Sequence, residues 1–594
     1  MGIKGLEKFI RTSNTNIFEE IDIRREIAKW RSGHRSNPTI MIDVKEVVKF
    51  SCKIDEGGLV LGGRYQKISE ILDYFFCEIK KANADLAFFI RLDEGRHEDV
   101  DQFQPIFPAY DGIIRNKSLK CEGSGRMHKQ MDCTSELRPT ERILYNFMHS
   151  ICSKYGQVYI DYGLRVRGIL AFARENRKNV MCLITRNTRF LVFERDFEYW
   201  SLSDVQFCEM KIAKFSRQKL KEIIELNVEQ MQLLHAITQL EMDVSNRLIG
   251  GHDKRNRFHK ICDYVKKQEY RPNGYESSQL TGDLTEEQRN LVEKRLASAM
   301  TANNYAGNWT DDIHDGLILD LVNNDESFNL VLQFCKANLY FAYKLMNEKL
   351  TIQKDLLFID IRRPDALPFI DLVISVTMKL CGIIFKDVEP DKQPKTRAVK
   401  IKRIFEEESV ESEVDIEYPT LALPSLQELL IAEQDKSFDQ FRWALLQWLL
   451  DLSEETISKI NGSKKQLRVV LLTLNFLLSH QIISPHEADV LLLTELDGRS
   501  KGNVYVPRNC PPPPMPNTRV SNYVDVSWIQ TAHKYTIAYE LVCHCLELSG
   551  LRTEPDNIEL DACKFHDNIN LVENGNDTEK IERLMAQIKG IRLW

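Results

Sequence analysis

Between residues 39 and 185 the chain alternates apolar runs of strand length with segments whose apolar residues recur at helical spacing. The runs are "TIMIDV" (39–44), "ADLAFFIRLDEG" (84–95), "GQVYID" (156–161) and "NVMCLIT" (179–185), each closing on polar or glycine positions. Between the first two, "YQKISEILDYFFCEIKKA" (65–82) places Ile68, Ile71, Leu72, Phe75, Phe76 and Ile79 on one helical stripe. Strands alternating with helices predict a parallel sheet wrapped by helices, with any ligand beyond the carboxyl ends of the strands. From about 211 the pattern turns helical, as in "RQKLKEIIELNVEQMQLLHAITQL" (217–240).

Further along, residues 271–386 begin with a polar linker and continue mainly helical. Residues 387–419 carry a basic block followed at once by an acidic one, a composition expected of a solvated, disordered linker. Residues 420–594 read as a helical C-terminal region. Within it, "FRWALLQWLL" (441–450), "LRVVLLTLNFLL" (467–478) and "DVSWIQTAHKYTIAYELVCHCLEL" (525–548) supply the apolar positions, and the proline-rich "CPPPPMPN" (510–517) interrupts them. The expected domains are therefore 1–270, 271–386 and 420–594, consistent with a length of 594 residues.

A net charge of −7 leaves no global attraction for nucleic acid, so such binding requires a local basic patch. The fourteen cysteines are scattered without paired CxxC spacing, which argues against a zinc ribbon or disulfide framework and favours a reducing, intracellular compartment, cytoplasmic or nuclear. The run "VVLLTLNFLL" (469–478) is about half the length needed to cross a bilayer. No membrane partner is expected.

The chemistry of interest lies in "MCLITRNTRFLVFERDF" (181–197), read as a buried strand, a polar turn and a second strand. Metal-dependent phosphodiester cleavage needs clustered carboxylates at such strand ends, because magnesium and manganese take oxygen ligands. This turn carries Asn187 and Arg189 instead.

The opening "MGIKGLEKFI" resembles the amino-terminal segment of the XPG and flap-endonuclease superfamily. Two further stretches fit that resemblance: "IMIDVKEVVKF" (40–50), with Asp43 in the place of the first carboxylate, and "LAFFIRLDEG" (86–95), with Asp93 in that of the second. The layout from "GGRYQKISEILDYFF" into that strand is similar to the asteroid proteins and the constitutive-coactivator-of-PPAR-gamma-like proteins. The resemblance covers roughly the first 250 residues, in an amino-terminal part (1–110) and an internal part (140–250). It implies an α/β fold, a PIN-like XPG-type domain followed by a mainly helical region.

It also implies further acids that this chain lacks. Leu164 and Val166 stand where the family's helix carries carboxylates, and Asn187 and Arg189 replace an Asp-Ser-Asp pattern. In "AITQLEMDV" (236–244) Asp243 is the nearest acid to the final position. The residual set Asp43, Asp93 and Asp243 is too small for a two-metal site, and a guanidinium at Arg189 would pair with Asp43 or Asp93 in place of a cation. No cofactor is expected; Mg2+ or Mn2+ enters only if the chain is a nuclease.

The expected function is a pseudo-nuclease acting as an RNA- or DNA-associated scaffold. Lys4, Arg186, Lys254, Arg255 and Arg257 are its candidate phosphate contacts. A second reading is an active structure-specific DNA endonuclease drawing extra ligands from Asp161, Glu175 or Asp243. A third is a signalling adaptor that contacts proteins through the proline-rich segment and the C-terminal helices. Each residue also has a plainer reading. Asp43 alone is a strand-end or helix-capping acid, the histidines of "GGHDKRNRFHK" (250–260) sit in a charged loop, and Phe88, Phe89, Phe190 and Phe193 are packing residues.

Overall fold

A computed structural model describes residues 6–12, 17–34, 36–44, 46–47, 62–91, 151–161, 166–193, 196–238, 240, 242–249, 257–268, 285–286, 288–290, 352–356, 359, 363–387, 391, 393–403, 410–431, 436–502, 525–551, 558–574, 582 and 585–594. They fall into two compact units. The first comprises 1–50, 74–95 and 152–317, and the second 51–73, 96–151 and 318–594.

In the first unit, in chain order, lie helix α1 (Leu6–Thr12), strand β1 (Phe18–Asp22), α2 (Ile23–Gly33) and β2 (Thr39–Asp43). Helix α3 (Tyr65–Lys81), whose residues 65–73 count with the second unit, leads to β3 (Asp85–Arg91), β4 (Gln157–Asp161), α4 (Val166–Glu175) and β5 (Val180–Thr185). Strands β6 (Glu198–Gln206) and β7 (Lys211–Phe215) precede α5 (Arg217–Ile224), α6 (Val228–Thr238), α7 (Met242–Ile249) and α8 (Arg257–Lys266).

Seven strands form one sheet in the order β1-β7-β6-β5-β2-β3-β4. Strands β4, β3, β2, β5 and β6 run parallel; β7 pairs antiparallel with β6, and β1 pairs antiparallel with β7 at the edge. Every side chain of β5 is buried, as expected for a parallel strand covered on both faces. On one face Met41, Phe89, Leu183 and Tyr199 join an apolar cluster with α1 and α4–α8. On the other, Phe76 of α3 meets Phe88 edge-on with ring centroids 4.9 Å apart. Edge strand β1 exposes Glu19 and Glu20, charges that discourage pairing with another chain.

The segment 181–197 departs from the expected strand-turn-strand. After β5 the chain forms a short 3-10 helix over Thr188–Leu191, and the next strand starts only at Glu198. Phe190 and Phe193 are buried as packing residues, but in this turn rather than in a strand.

The second unit contains β8 (Ile352–Leu356), α9 (Ala366–Phe385), β9 (Thr396–Arg403), β10 (Val410–Asp415), α10 (Leu426–Ile431), α11 (Asp439–Leu450), α12 (Glu454–Asn461), α13 (Arg468–Ser479), α14 (Pro485–Gly502), α15 (Val526–Leu548) and α16 (Ala562–Asn574). The expected helical C-terminal region is present, and a three-stranded sheet, β10-β9-β8, is added to it.

That sheet corrects the reading of 387–419 as a disordered linker. "TRAVKIKR" alternates with period two: Arg397, Val399 and Ile401 are buried and Lys400 is half-buried. The basic and acidic blocks pair across the antiparallel ladder, with Glu411 opposite Lys400. The boundary at 270 is also not the division found, since residues 51–73 count with the second unit.

Helix α9 is, among the described residues, long and apolar enough to cross a membrane, a stretch the sequence reading passed over in favour of 469–478. Two-thirds of its apolar window is buried inside the unit, and its Lys379 donates to Asp451 at 2.6 Å and to the carbonyl of Trp448 at 3.0 Å. That is the packing of a core helix. Gly382 is required there, because a Cβ would lie 1.9 Å from the carbonyl oxygen of Glu417. Trp443 and Trp448 of α11 are half-buried, whereas Arg442 on the same helix is fully buried, donating to the carbonyl of Leu429 and to Asp439.

Candidate functional site

The sheet order fixes where a ligand would sit. From β2 the chain winds outward through β3 to β4, and from β5 it winds the other way through β6. The crevice between β2 and β5, beyond their carboxyl ends, is the topological switch point at which such sheets bind ligands. Asp43 ends β2 and Thr185 ends β5.

Register brings these two side chains together. Ile42 lies opposite Ile184, so Asp43 and Thr185 are the next positions on neighbouring strands and share a face. Asp43 is 0% exposed, and its Oδ2 accepts from the Thr185 hydroxyl at 2.8 Å. Thr185 Oγ1 in turn accepts from the backbone N–H of Asn187 at 3.0 Å, and Asn187 Oδ1 accepts from the backbone N–H of Arg189 at 3.2 Å, capping the 3-10 helix. A buried carboxylate is thus fixed by a relay that runs through the whole turn.

Donors surround it. Asn187 Nδ2 and Arg186 Nε are buried atoms without a hydrogen-bond partner among the described residues. Buried donors of this kind ordinarily find an acceptor, so they mark a place where a ligand oxygen would be held. Arg189 is half-buried on the same turn. The carboxylate that sequence reading missed is Glu46, 6% exposed and three residues beyond Asp43.

A divalent cation fits this donor set poorly. Asp43 accepts from the Thr185 hydroxyl, and the turn that follows carries an amide, Asn187, and two cations, Arg186 and Arg189, where further oxygen ligands would be needed. Among the described residues no group of three or more His, Cys, Asp or Glu is arranged to hold a metal ion.

The other candidates fall as follows. Asp93, Lys4, Leu164, Lys254 and Arg255 lie outside the described residues, as does the proline-rich segment 510–517. Val166 opens α4, Asp161 closes β4 opposite Arg91, and Asp243 is the second residue of α7 rather than part of a turn. Glu175 is exposed at the end of α4. Arg257 is half-buried and donates to Ser245, and burial lowers its pKa. His235 packs edge-on against Phe193 at 4.7 Å and His259 against Phe9 at 5.0 Å, contacts of packing residues. His97, His128 and His252 lie outside the described residues.

No known protein family matches the chain, and no curated protein does.

Proposed function

We propose that this chain is an asteroid-like pseudo-nuclease: a PIN-like domain whose switch-point crevice holds a phosphate of RNA or DNA where a nuclease would hold metal. The protein acts as a nucleic-acid-associated scaffold. The observation that carries this reading is the pair of buried, unpartnered donors, Arg186 Nε and Asn187 Nδ2, on the turn that follows Thr185, whose hydroxyl holds Asp43. A phosphate oxygen accepts from such donors, whereas a cation is repelled by the guanidinium and gains nothing from an amide N–H.

The test uses the full chain and fluorescently labelled single-stranded RNA and DNA. Binding is expected to persist in EDTA, and Arg186→Ala is expected to weaken it by about tenfold, the worth of one charge-assisted hydrogen bond. Calorimetry with Mg2+ or Mn2+ is expected to give no heat for the native chain and a gain of binding for Asn187→Asp combined with Arg189→Asp. Absence of oligonucleotide binding, or indifference to Arg186→Ala, would overturn the scaffold reading.

One observation favours a second reading, a structure-specific DNA endonuclease. Glu46, three residues after Asp43, is a second buried acid beyond the end of β2. Tight metal binding by the native chain, with cleavage of overhang substrates lost in Asp43→Asn, would select that reading.

A further inference from the structure

An acid three residues after a serine or threonine has two physical readings. At a helix start the acid and the hydroxyl cap each other. In an exposed, extended segment the acid is instead a feature by which an acidophilic protein kinase selects its hydroxyl. Seven positions of the chain have this spacing, and the structure separates them. Ser201, Thr238 and Thr494 are buried. Ser425 donates to Glu428 at 2.7 Å and Ser484 to Glu487 at 2.8 Å, so in both the hydroxyl and its acid are engaged in a capping box. Thr553 lies outside the described residues. The seventh is Ser412.

Ser412 is exposed within β10, with Glu413 next to it and Asp415 three residues on. Among the described strands β10 pairs with β9 alone, so its extended backbone lies at an edge of the three-stranded sheet. No hydrogen bond of the Ser412 hydroxyl is found among the described residues. Glu413 and Asp415 are exposed as well, and across the ladder they face Ala398 and Thr396, which are neutral. The strand "VESEVD" contains three acids and no base, and Glu406, Glu407 and Glu408 precede it in sequence. A kinase cleft lined by lysine and arginine would therefore meet a hydroxyl free to react, with carboxylates one and three residues beyond it.

We propose that Ser412 is a phosphorylation site for a protein kinase that selects acidic sequences. The co-substrate is a nucleoside triphosphate. Ser412 Oγ bonds to the γ-phosphorus and the bond from that phosphorus to the β,γ-bridging oxygen breaks. The nucleoside diphosphate leaves with the electron pair, and the hydroxyl proton passes to the kinase's base. The product carries about −1.5 to −2 charge, placed between Glu411 and Glu413. Across the ladder Ser412 faces Val399; Arg397, two positions along β9 on that face, is buried with its guanidinium over the Phe385 ring. Repulsion along the acidic strand then loosens β10 from β9. No residue of the switch-point crevice takes part, so this site and the scaffold reading stand or fall separately.

The experiment incubates the full chain with MgATP and an acidophilic serine/threonine kinase, and in parallel with a basophilic one, and maps phosphate by tandem mass spectrometry. Phosphate is expected on Ser412 with the acidophilic enzyme and is expected to be absent from Ser412→Ala. Asp415→Asn is expected to slow incorporation about tenfold, the worth of one charge-assisted hydrogen bond to the kinase. Both substitutions are at exposed positions, so the thermal transition should stay in place. No phosphate on Ser412, a rate indifferent to Asp415→Asn, or equal incorporation by the basophilic enzyme would overturn the site. Labelling of Ser425 or Ser484 as fast as Ser412 would overturn it too, because spacing alone would then decide. In the phosphorylated chain the backbone amides of 396–401 are expected to exchange with deuterium at least about threefold faster. Unchanged exchange would overturn the loosening of β10.

Discussion

At the scale of single residues, Thr185 is the hinge of the site. Its hydroxyl donates to the buried Asp43 and accepts from Asn187, so removing it leaves a carboxylate oxygen and a backbone N–H without that partner. Thr185→Val keeps the shape and is expected to cost about 3 kcal/mol in urea unfolding, the scale of orphaning buried polar groups. Thr185→Ser keeps the hydroxyl and should cost about 1 kcal/mol, for one lost methyl. Equal losses for the two would mean that the hydroxyl is not what holds Asp43. Of this site, Asp43 and the turn residues Asn187 and Arg189 were legible in sequence, because a strand-end acid and a polar turn announce themselves locally. Thr185 and Glu46 were not. The role of Thr185 depends on the register between β2 and β5, set by residues more than a hundred positions apart, and a short "VKE" gives no hint of burial.

At the scale of elements, burial of charge separates what the sequence pattern reveals from what it hides. The stripe on α3 and the apolar run of β5 became the expected helix and strand because their patterns are regular. The strands at 396–403 and 410–415 were hidden by their charge, although the alternation that makes them strands was present. Helix α14 shows the same tension in a buried acid. Glu495 is fully buried, where it accepts from Tyr535 Oη at 3.0 Å and from the backbone N–H of Glu559 at 3.1 Å, with Arg499 at 3.4 Å. Burial raises its pKa despite the opposing pull of Arg499 and these donors. In the unfolded chain a glutamate titrates near about 4.3. Between that pH and its raised folded value the native state holds more protons than the unfolded one, so this group's stabilisation is complete below the window and is lost as pH rises through it. Tyr535 and Glu559 donate to different oxygens, so Glu495→Gln retains the acceptor for only one of them, a loss that does not vary with pH, and it does not titrate. Its stability relative to the native chain should therefore improve as pH rises above the ordinary glutamate range in chemical unfolding. A difference independent of pH would contradict the raised pKa.

At the scale of the whole molecule, the chain does not divide where its composition changes. The resemblance to XPG-type domains suggested a self-contained 1–270, yet residues 62–66 are bound into the second unit by many ties. Gly62, with φ of +119°, lies so close to α15 that a Cβ would stand 2.5 Å from that of Ala532. The carbonyl of Gly63 accepts from Ala562 N–H at 2.8 Å, Tyr65 N–H donates to Leu560 O at 2.9 Å, Arg64 pairs with Asp561 at 3.3 Å, and Gln66 accepts from Lys564 at 2.7 Å. The Gly-Gly stretch was visible in sequence, but its reason was not, because the surface it approaches lies almost five hundred residues later. A fragment ending at 270 would lose every one of these partners and expose Tyr65 and Gln66, which are buried in the intact chain. Such a fragment is expected to melt below the full chain and to bind a hydrophobic dye that the full chain does not. Adding residues 318–594 as a separate polypeptide should suppress the dye signal by restoring the docking surface for 62–66. A fragment 1–270 that is monomeric, dye-silent and as heat-stable as the intact protein would mean that these contacts contribute nothing to folding of the amino-terminal half. Were the fragment to fail as expected, metal and nucleotide measurements would have meaning only on the full chain, where α3 keeps both of its ends packed.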